Sequence, residues 1–415
     1  MKYKKWSLEE KLEILSFSEE LGVVETCRKY SVSTGTLYSF SSKLHFLYFI
    51  YQMYYLKFKI SLRTIKGLKY LPVQKLASVF GSTVATYKYY WLIAIIELVE
   101  EGNISIPKKK IFSRMISNSW YIINYFHISF GKQDNLQIAV ETILKEEGLT
   151  IDEKKNNIDF CLENSTNQKT INQLLHFDKN VPHWFLSPWF PKSKGETDNQ
   201  QKSRIYDDSQ SFLNDSLYAL HRDFIEINPI WISYLKSNSK IIKDYCYWNL
   251  ALFLQVRNPN VPDIPNKLIK PALRNGLTKQ TNQYWKLVFE KLGSINCIFT
   301  GTKLYFDEKN YALDHFVPHA FVSHDLIWNL LPIEKRFNSS KSDKLPLFEK
   351  HFDNFYELQK KAFDINKQHN SKSKYMDEFL TIFPNIDTFE KDKFSSTIQP
   401  LITIANNNGF LFMND

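Results

Sequence analysis

The chain has 415 residues, with 53 basic and 44 acidic side chains and a formal net charge of +9. This length predicts two or three domains, and a hydrophobic content of 43% excludes a wholly disordered chain. The 12 glycines include no pair at G-x-G spacing, which excludes both a Rossmann dinucleotide fingerprint and a Walker phosphate loop.

The first domain, residues 1–43, has the layout of a helix-turn-helix. A capping box at residues 7–10 (SLEE) opens one helix, residues 24–30 form a second, and a third runs from about residue 34 to residue 43. The last helix of such a unit enters the major groove of DNA.

Three stretches of this domain carry a family resemblance. Residues 5–11 (KWSLEEK), 27–30 (CRKY) and 32–38 (VSTGTLY) resemble the helix-turn-helix of insertion-element transposases. We expect DNA contacts from Thr34, Thr36 and Tyr38. A stable three-helix module without a DNA-binding role is the alternative.

Residues 44–190 are predicted to form a helical domain with a basic and an acidic part. Lys108, Lys109 and Lys110 follow a proline and fall in the first turn of a helix, where the helix dipole disfavours cations. A nucleic-acid phosphate would relieve this repulsion, and so would water around an exposed turn. These lysines are therefore candidate nucleic-acid contacts.

The segments after this domain read mostly as helices. Residues 191–210 are polar and aperiodic, which predicts a flexible linker or loop. Residues 211–291 form a predicted helical segment with helices at 211–235, 240–256 and 267–292, and residues 351–415 form a C-terminal helical segment.

The positive charge is concentrated in two of these segments. Residues 44–133 carry 12 basic against 3 acidic side chains, and residues 231–291 carry 10 against 3, whereas residues 134–230 are acidic overall. Two basic segments on either side of an acidic one favour a polyanionic partner. An AT-rich genome that over-uses lysine explains the same excess equally well.

The cysteines and apolar stretches limit the cell compartment and the metal chemistry. The four cysteines include no C-x-x-C pair, which excludes the usual zinc ribbon and gives no disulfide framework. The apolar stretches at residues 46–56 and 91–99 are too short to span a bilayer, and no signal peptide is indicated. We expect a cytoplasmic protein without a membrane partner.

Residues 297–346 hold the densest group of candidate catalytic side chains. Two β-prone runs, 297–299 and 311–313, precede Asp314 and His315. Neighbours in a strand point to opposite faces, but a strand that ends here lets these two side chains converge.

A helix is predicted directly after residues 328–332 (WNLLP) of this segment. Pro332 suits the first helical position, so the helix begins at Ile333 and contains Asn338. A hard divalent cation takes oxygen ligands, which a carboxylate and an amide offer here, and it stabilises charge on a scissile phosphate. An imidazole can take the proton from an attacking water.

This segment resembles the HNH nuclease motif, the ββα-metal fold. It is most similar to the Asp-His…Asn…Asn version found in the HNH domain of RNA-guided CRISPR effectors and related bacterial nucleases. Asn329 follows Asp314 by fifteen residues and Asn338 follows it by twenty-four. The runs DHFVP, WNLLP and NSSKSD also look like family positions, and the similarity covers about fifty residues.

The resemblance implies a role for each of these residues. His315 is the general base, Asp314 and Asn338 bind Mg²⁺ or Mn²⁺, and Asn329 holds the Asp314–His315 loop through backbone hydrogen bonds. Many family members carry two C-x-x-C pairs for a structural zinc. Here only Cys297 remains, so no structural zinc is expected.

The module also holds candidate substrate contacts, of which the resemblance supplies Lys341. Lys341 would face a phosphate. Lys335 and Arg336 contact phosphates or form the solvated face of their helix, and His319 is a candidate substrate contact with an idle loop histidine as the alternative.

These observations lead to a fold class and a function. The expected fold is mainly α with a small α+β module: an N-terminal helix-turn-helix, a helical body and a ββα-metal HNH domain at residues 292–350. The expected function is a metal-dependent endonuclease acting on DNA, and structured RNA is the alternative substrate. One module cuts one strand, so a double-strand break would need a homodimer or a second cleavage event. The resemblance implies a mobile-element or phage-defence context. The alternative function is a DNA-binding transposase accessory or regulator with an inactive nuclease-like module.

Overall fold

The structure, a computed structural model, describes residue 14, residues 23–30, residues 71–269 and residues 276–413. Contacts divide the chain into two units, Met1–Leu71 and Pro72–Asp415. In the first unit, helix α1 spans Val23–Tyr30, where the second helix of the predicted helix-turn-helix lies. Of the first predicted helix only Ile14 is described, and the third, with Thr34, Thr36 and Tyr38, lies outside the described residues.

The first half of the second unit is a helical body built around one buried helix. Helix α3 is apolar on all sides, and ten of its fourteen residues are buried beneath α4 and α11. A helix that is hydrophobic around its whole circumference needs cover on every side, so α3 forms the centre of the core. The helices of the body are α2 (Val73–Ala77), α3 (Tyr87–Glu100), α4 (Lys108–Asn124), α5 (Asn135–Glu146), α6 (Lys155–Asn164), α7 (Gln168–His176), α8 (Val181–Phe185), α9 (Asp198–Ser209), α10 (Pro229–Ser237), α11 (Ser239–Arg257) and α12 (Ile264–Ile269).

A three-stranded antiparallel sheet lies within this body. Its strands are β1 (Ser105–Pro107), β2 (Tyr218–Leu220) and β3 (Phe224–Ile227), with β3 in the centre. Residues 211–235 are therefore not the single helix that was predicted. The pairing of β3 with β1 is a long-range contact, and local periodicity carries no signal for it.

Residues 191–210 differ from the predicted flexible linker because α9 occupies most of them. The helix opens with a capping box in which the backbone N–H groups of Thr197 and Gln200 each donate to the other residue's side chain. Gln201 donates to the carbonyl of Phe190 at 2.9 Å, and Ile205 is fully buried. The polar composition concealed a helix that is packed along one narrow face.

The second half of the unit contains small sheets and long C-terminal helices. Strand β4 pairs with β5 and strand β6 pairs with β7, both antiparallel. A π-helical turn, Thr281–Trp285, joins α13 to α14. The elements are α13 (Thr278–Gln280), α14 (Lys286–Leu292), β4 (Ile295–Asn296), β5 (Lys303–Leu304), β6 (Tyr311–His315), α15 (His319–Val322), β7 (Leu330–Glu334), α16 (Lys335–Lys341), α17 (Phe348–His369), α18 (Lys374–Asp377) and α19 (Lys391–Asn407).

Strands β6 and β7 and helix α16 form a ββα unit whose boundaries correct the prediction. Residues 330–334 are a strand, so the helix begins at Lys335 and not at Ile333. Pro332 pairs with Leu313 in a two-stranded sheet, and such a strand has an open edge where a missing N–H is tolerated. The first predicted strand, 297–299, is instead a turn closed by a hydrogen bond from Gly301 N to Cys297 O at 2.8 Å.

A row of aromatic rings joins this unit to the C-terminal helices. Phe316 stacks on Phe355 of α17 with ring centroids 3.9 Å apart, and Phe299 stacks on Phe337 of α16 at 5.0 Å. Aromatic pairs contribute about 0.5–1.5 kcal/mol each beyond the area that they bury. Packing therefore fixes α16 relative to the end of β6.

The described residues are mostly helical, with sheets of two or three strands. The predicted class, mainly α with a small α+β module, is confirmed at this level. Among the described helices, none combines the length and the hydrophobicity needed to cross a bilayer.

Candidate active site

The end of β6 brings a carboxylate and an imidazole together. Asp314 and His315 are the last two residues of the strand, and both line the same cleft although they are neighbours in sequence. Asp314 Oδ1 lies 4.0 Å from His315 Nδ1, and both side chains are almost fully buried. The strand ends here because the chain turns away at Pro318 into α15.

Asn329 holds the loop that follows this strand end. Its side chain is fully buried, accepts a hydrogen bond from Val317 N and donates one to Val317 O, both at 2.8 Å. Phe316 N also donates to Asn329 O at 2.7 Å and continues the β6–β7 pairing. The two strands are therefore clamped at the point where Asp314 and His315 emerge.

Lys341 differs from the predicted phosphate contact. Its ammonium is fully buried, lies 2.7 Å from Asp314 Oδ2 and donates to the carbonyl of His315 at 2.8 Å. A buried ammonium that already bonds to two protein oxygens does not face a phosphate. Lys341 instead neutralises Asp314 from inside the module and fixes its orientation.

Asn338 reaches the same cleft from α16. The cleft has a volume of about 370 Å³, and Asp314, His315, His319, Asp325 and Asn338 line it. Residues between Gly276 and Thr281, around α13, also line it. The fold thus brings Asn338 to the same cleft as Asp314 and His315, which lie more than twenty positions earlier in the sequence.

The loop between α15 and β7 supplies a carboxylate that was not among the predicted site residues. Asp325 Oδ1 lies 3.0 Å from His315 Nε2 and 3.9 Å from His319 Nε2. Burial raises the pKa of Asp325, but the hydrogen bond with His315 and the charges of His315, His319 and His324 outweigh burial and lower it. A lone acidic residue in a loop with two histidines was the sequence signal for this contact.

The two loop histidines occupy different surroundings. The ring of His319 lies 5.2 Å from that of His315 and lines the cleft, as expected of a candidate substrate contact. His324 packs edge-on against Trp328 and is half-buried. Burial, with the charges of His315 and His319, lowers the pKa of His324 to about 4.

The remaining predicted contacts fall into two groups. Lys335 and Arg336 are exposed in the first turn of α16, next to the cleft residue Asn338. The lysines of α4 are occupied elsewhere: Lys108 pairs with Asp178 at 2.8 Å and donates to Arg222 O, and Lys109 donates to Glu163 O at 2.7 Å. Lys110 is half-buried in the field of Glu163.

Comparison with known proteins identifies the segment that carries this site. Residues 297–347 match the family model of the HNH endonucleases. The match covers about an eighth of the chain and includes both strands and the helix of the ββα unit, so we call residues 297–347 the HNH module. No curated protein and no solved structure matches the chain.

The donor atoms of the HNH module fit a hard divalent cation. Asp314 offers a carboxylate whose second oxygen is already neutralised by Lys341, and Asn338 offers an amide oxygen on the same cleft wall. Among the described residues, no group of three or more His, Cys, Asp or Glu side chains is arranged to hold a metal. Mg²⁺ suits a site of this kind, because it keeps several waters and takes few protein ligands beside substrate phosphates.

Proposed function

We propose that this protein is a metal-dependent endonuclease that hydrolyses phosphodiester bonds in DNA. The observation that carries the proposal is that three residues of the HNH module, Asp314, His315 and Asn338, line one cleft. A carboxylate, an amide and an imidazole in one cleft are the parts that phosphodiester hydrolysis requires.

His315 is the general base of this proposal. Its ring lies in the cleft wall beside Asp314, where it can take a proton from a water that attacks the phosphorus atom. Because the imidazole is almost fully buried, the side chain of His315 is held in a fixed position. Asn329 and the β6–β7 pairing hold the backbone beneath it.

Asp314 and Asn338 would hold Mg²⁺ or Mn²⁺. When bound, the ion stabilises negative charge on the scissile phosphate and on the departing oxygen. Lys341 positions Asp314 for this task, since its ammonium contacts Oδ2 at 2.7 Å and leaves Oδ1 on the His315 side. The buried lysine also offsets the cost of removing the Asp314 carboxylate from water.

The substrate would be held by groups around the cleft. Lys335 and Arg336 are exposed at the start of α16 and would contact backbone phosphates. The resemblance to HNH nucleases favours DNA as the substrate, and RNA is the alternative substrate. One module cuts one strand, so nicking is the expected primary activity.

Nicking of supercoiled plasmid by the full-length protein tests the proposal. We expect nicking with Mg²⁺ or Mn²⁺, its loss with EDTA, and a reduction of at least about 100-fold in His315→Ala. His369→Ala, an exposed histidine at the end of α17, is the matched control and keeps full activity. Equal nicking by wild type and His315→Ala contradicts the proposal, and DNA binding without cleavage favours a regulator with an inactive module.

A further inference from the structure

A carboxylate outside the predicted catalytic set contacts the general base. Asp325 Oδ1 lies 3.0 Å from His315 Nε2, which is a normal hydrogen-bond distance. The other ring nitrogen, Nδ1, lies 4.0 Å from Asp314 Oδ1. The imidazole of His315 is therefore placed between two carboxylates, with one nitrogen directed to each.

We propose that Asp325 is a positioning residue for His315, accepting a hydrogen bond from Nε2–H so that Nδ1 is the nitrogen left to accept a proton. This inference rests on the proposed function, because it assigns the orientation of the proposed base. The hydrogen bond made by one ring nitrogen of a histidine sets which nitrogen carries the proton. Nδ1 is the nitrogen nearer to the carboxylate that would hold the metal, where an attacking water would lie.

The distances distinguish His315 from its neighbour as the partner of Asp325. His319 Nε2 lies 3.9 Å from the same oxygen, which is beyond hydrogen-bond range. His324 and Glu378 also contribute charge near Asp325. Of these groups, His315 makes the short contact with the carboxylate.

The loop that carries Asp325 is held on its C-terminal side, directly after this residue, by hydrogen bonds to the C-terminal helices. Ile327 N donates to Glu378 Oε2 at 2.6 Å, and Trp328 Nε1 donates to Thr381 Oγ1 at 3.0 Å. Gln359 of α17, which is fully buried, donates to Leu330 O at 2.7 Å. A supporting shell of this kind locks the geometry of a catalytic side chain.

These anchors lie outside the HNH module. Gln359, Glu378 and Thr381 belong to α17 and to the turn after α18, which follow the matched residues 297–347. The C-terminal helices therefore contribute to the orientation of the base through Asp325. A module cut out at residue 347 would lack this support.

The proton position can be measured in the metal-free, full-length protein by NMR with ¹⁵N-labelled histidine. The signals of His315 are assigned by their absence in His315→Ala. We expect a proton on Nε2 that exchanges slowly with water in the wild type and rapidly in Asp325→Ala. Neutral His315 protonated at Nδ1 in the wild type would overturn the proposal.

Nicking rates give a second, independent readout. We expect Asp325→Ala to lower the nicking rate about 10- to 100-fold. Asp325→Asn should recover part of this rate, because the amide keeps an acceptor oxygen. Asp307→Ala, at an exposed position, is the control and should leave the rate unchanged. Because Asp325 acts through His315, Asp325→Ala in the His315→Ala background should cost no more than about twofold further. The same loss in both backgrounds overturns the proposal. A wild type that does not nick contradicts the proposed function instead, and the proton position still decides the pairing.

Discussion

Two ionic clusters of this protein, one partly and one almost fully buried, lie in different surroundings. In the helical body, Arg114 contacts Glu101 at 2.8 Å, Asp159 at 3.0 Å and Glu97 at 3.5 Å, and Lys155 pairs with Glu97 at 2.7 Å. Carboxylates close around the guanidinium, and a second cation completes the network that joins α3, α4 and α6. This cluster satisfies its own charges.

In the HNH module, the protein compensates the charge of Asp314 from one side. Lys341 holds Asp314 Oδ2 from within, whereas the opposite side of Asp314 and the ring of His315 line a cleft. The comparison teaches that burial of charge does not by itself mark a catalytic site. The second cluster also opens onto a cleft, and four predictions test this difference.

The largest effect is expected from the Asp314–Lys341 pair. Asp314→Asn leaves the fully buried ammonium without its carboxylate, so we expect a loss of about 3 kcal/mol in the free energy of unfolding and a loss of nicking. The double variant Asp314→Leu/Lys341→Met should recover most of the stability, since apolar residues often replace a buried pair without cost. Urea unfolding and plasmid nicking measure the two effects, and nicking by the double variant would show that Asp314 has no chemical role.

The corresponding change in the helical body should affect stability alone. Arg114→Met leaves three carboxylates near one another, and we expect a loss of about 2–3 kcal/mol in the free energy of unfolding. The nicking rate per folded molecule should not change. Arg28→Met is the control, because its pair with Glu25 is exposed and should contribute less than about 1 kcal/mol. A lower nicking rate in Arg114→Met at unchanged stability would give the body cluster a catalytic part.

Acid should weaken both regions by the same mechanism. Burial lowers the pKa of His183 in the body and of His324 in the HNH module to about 4 in each case, whereas an unfolded histidine titrates near 6.5. The neutral ring favours the folded state, so this stability is fully present above pH 6.5 and is lost as the pH falls towards 4. We expect each group to contribute about 1–2 kcal/mol to that loss, allowing for partial exposure. Urea unfolding between pH 7 and 4.5 checks this, and His183→Gln or His324→Gln should flatten the curve; an unchanged slope in both would contradict it.

The smallest effect is expected from the exposed cations beside the cleft. Lys335→Gln and Arg336→Gln should weaken DNA binding a few-fold at moderate salt, reduce the salt dependence by about one counterion each, and leave the rate at saturating substrate unchanged. Fluorescence anisotropy across a salt series measures this. Lys109→Gln, whose ammonium bonds to Glu163 O, serves as the comparison and should leave the salt dependence unchanged. An equal reduction in Lys109→Gln would place the DNA on the helical body as well.

The sequence predicted the residues that gather around the end of β6 better than the contacts that support them. The adjacency of Asp314 and His315 and the spacing to Asn329 and Asn338 are local patterns. In the structure Asn329 bonds to the loop after Asp314 and His315, and Asn338 lines the same cleft as those two residues. Such a pattern does not show which side chains are buried. Lys341 was therefore assigned to a phosphate, although its side chain is fully enclosed.

The fold was harder to predict wherever distant segments meet. Pro332 reads as a helix start because its pairing with Leu313 is a contact across a long loop. The polar composition of residues 198–209 did not indicate a helix. The spacing between Asp325 and His315 matches no regular pattern, so it did not predict their contact. Local propensity and periodicity do not report contacts of this kind.

The most direct test compares one substitution in the two regions. Asn338→Ala removes an amide from the cleft wall, whereas Asn118→Ala removes one from the body network, where it donates to Glu97 at 3.1 Å. Nicking rates are measured with Mg²⁺ at a temperature where both variants are folded. The account predicts that Asn338→Ala loses about 100-fold or more and that Asn118→Ala keeps the wild-type rate. Equal rates in the two variants would contradict the assignment of the chemistry to this cleft.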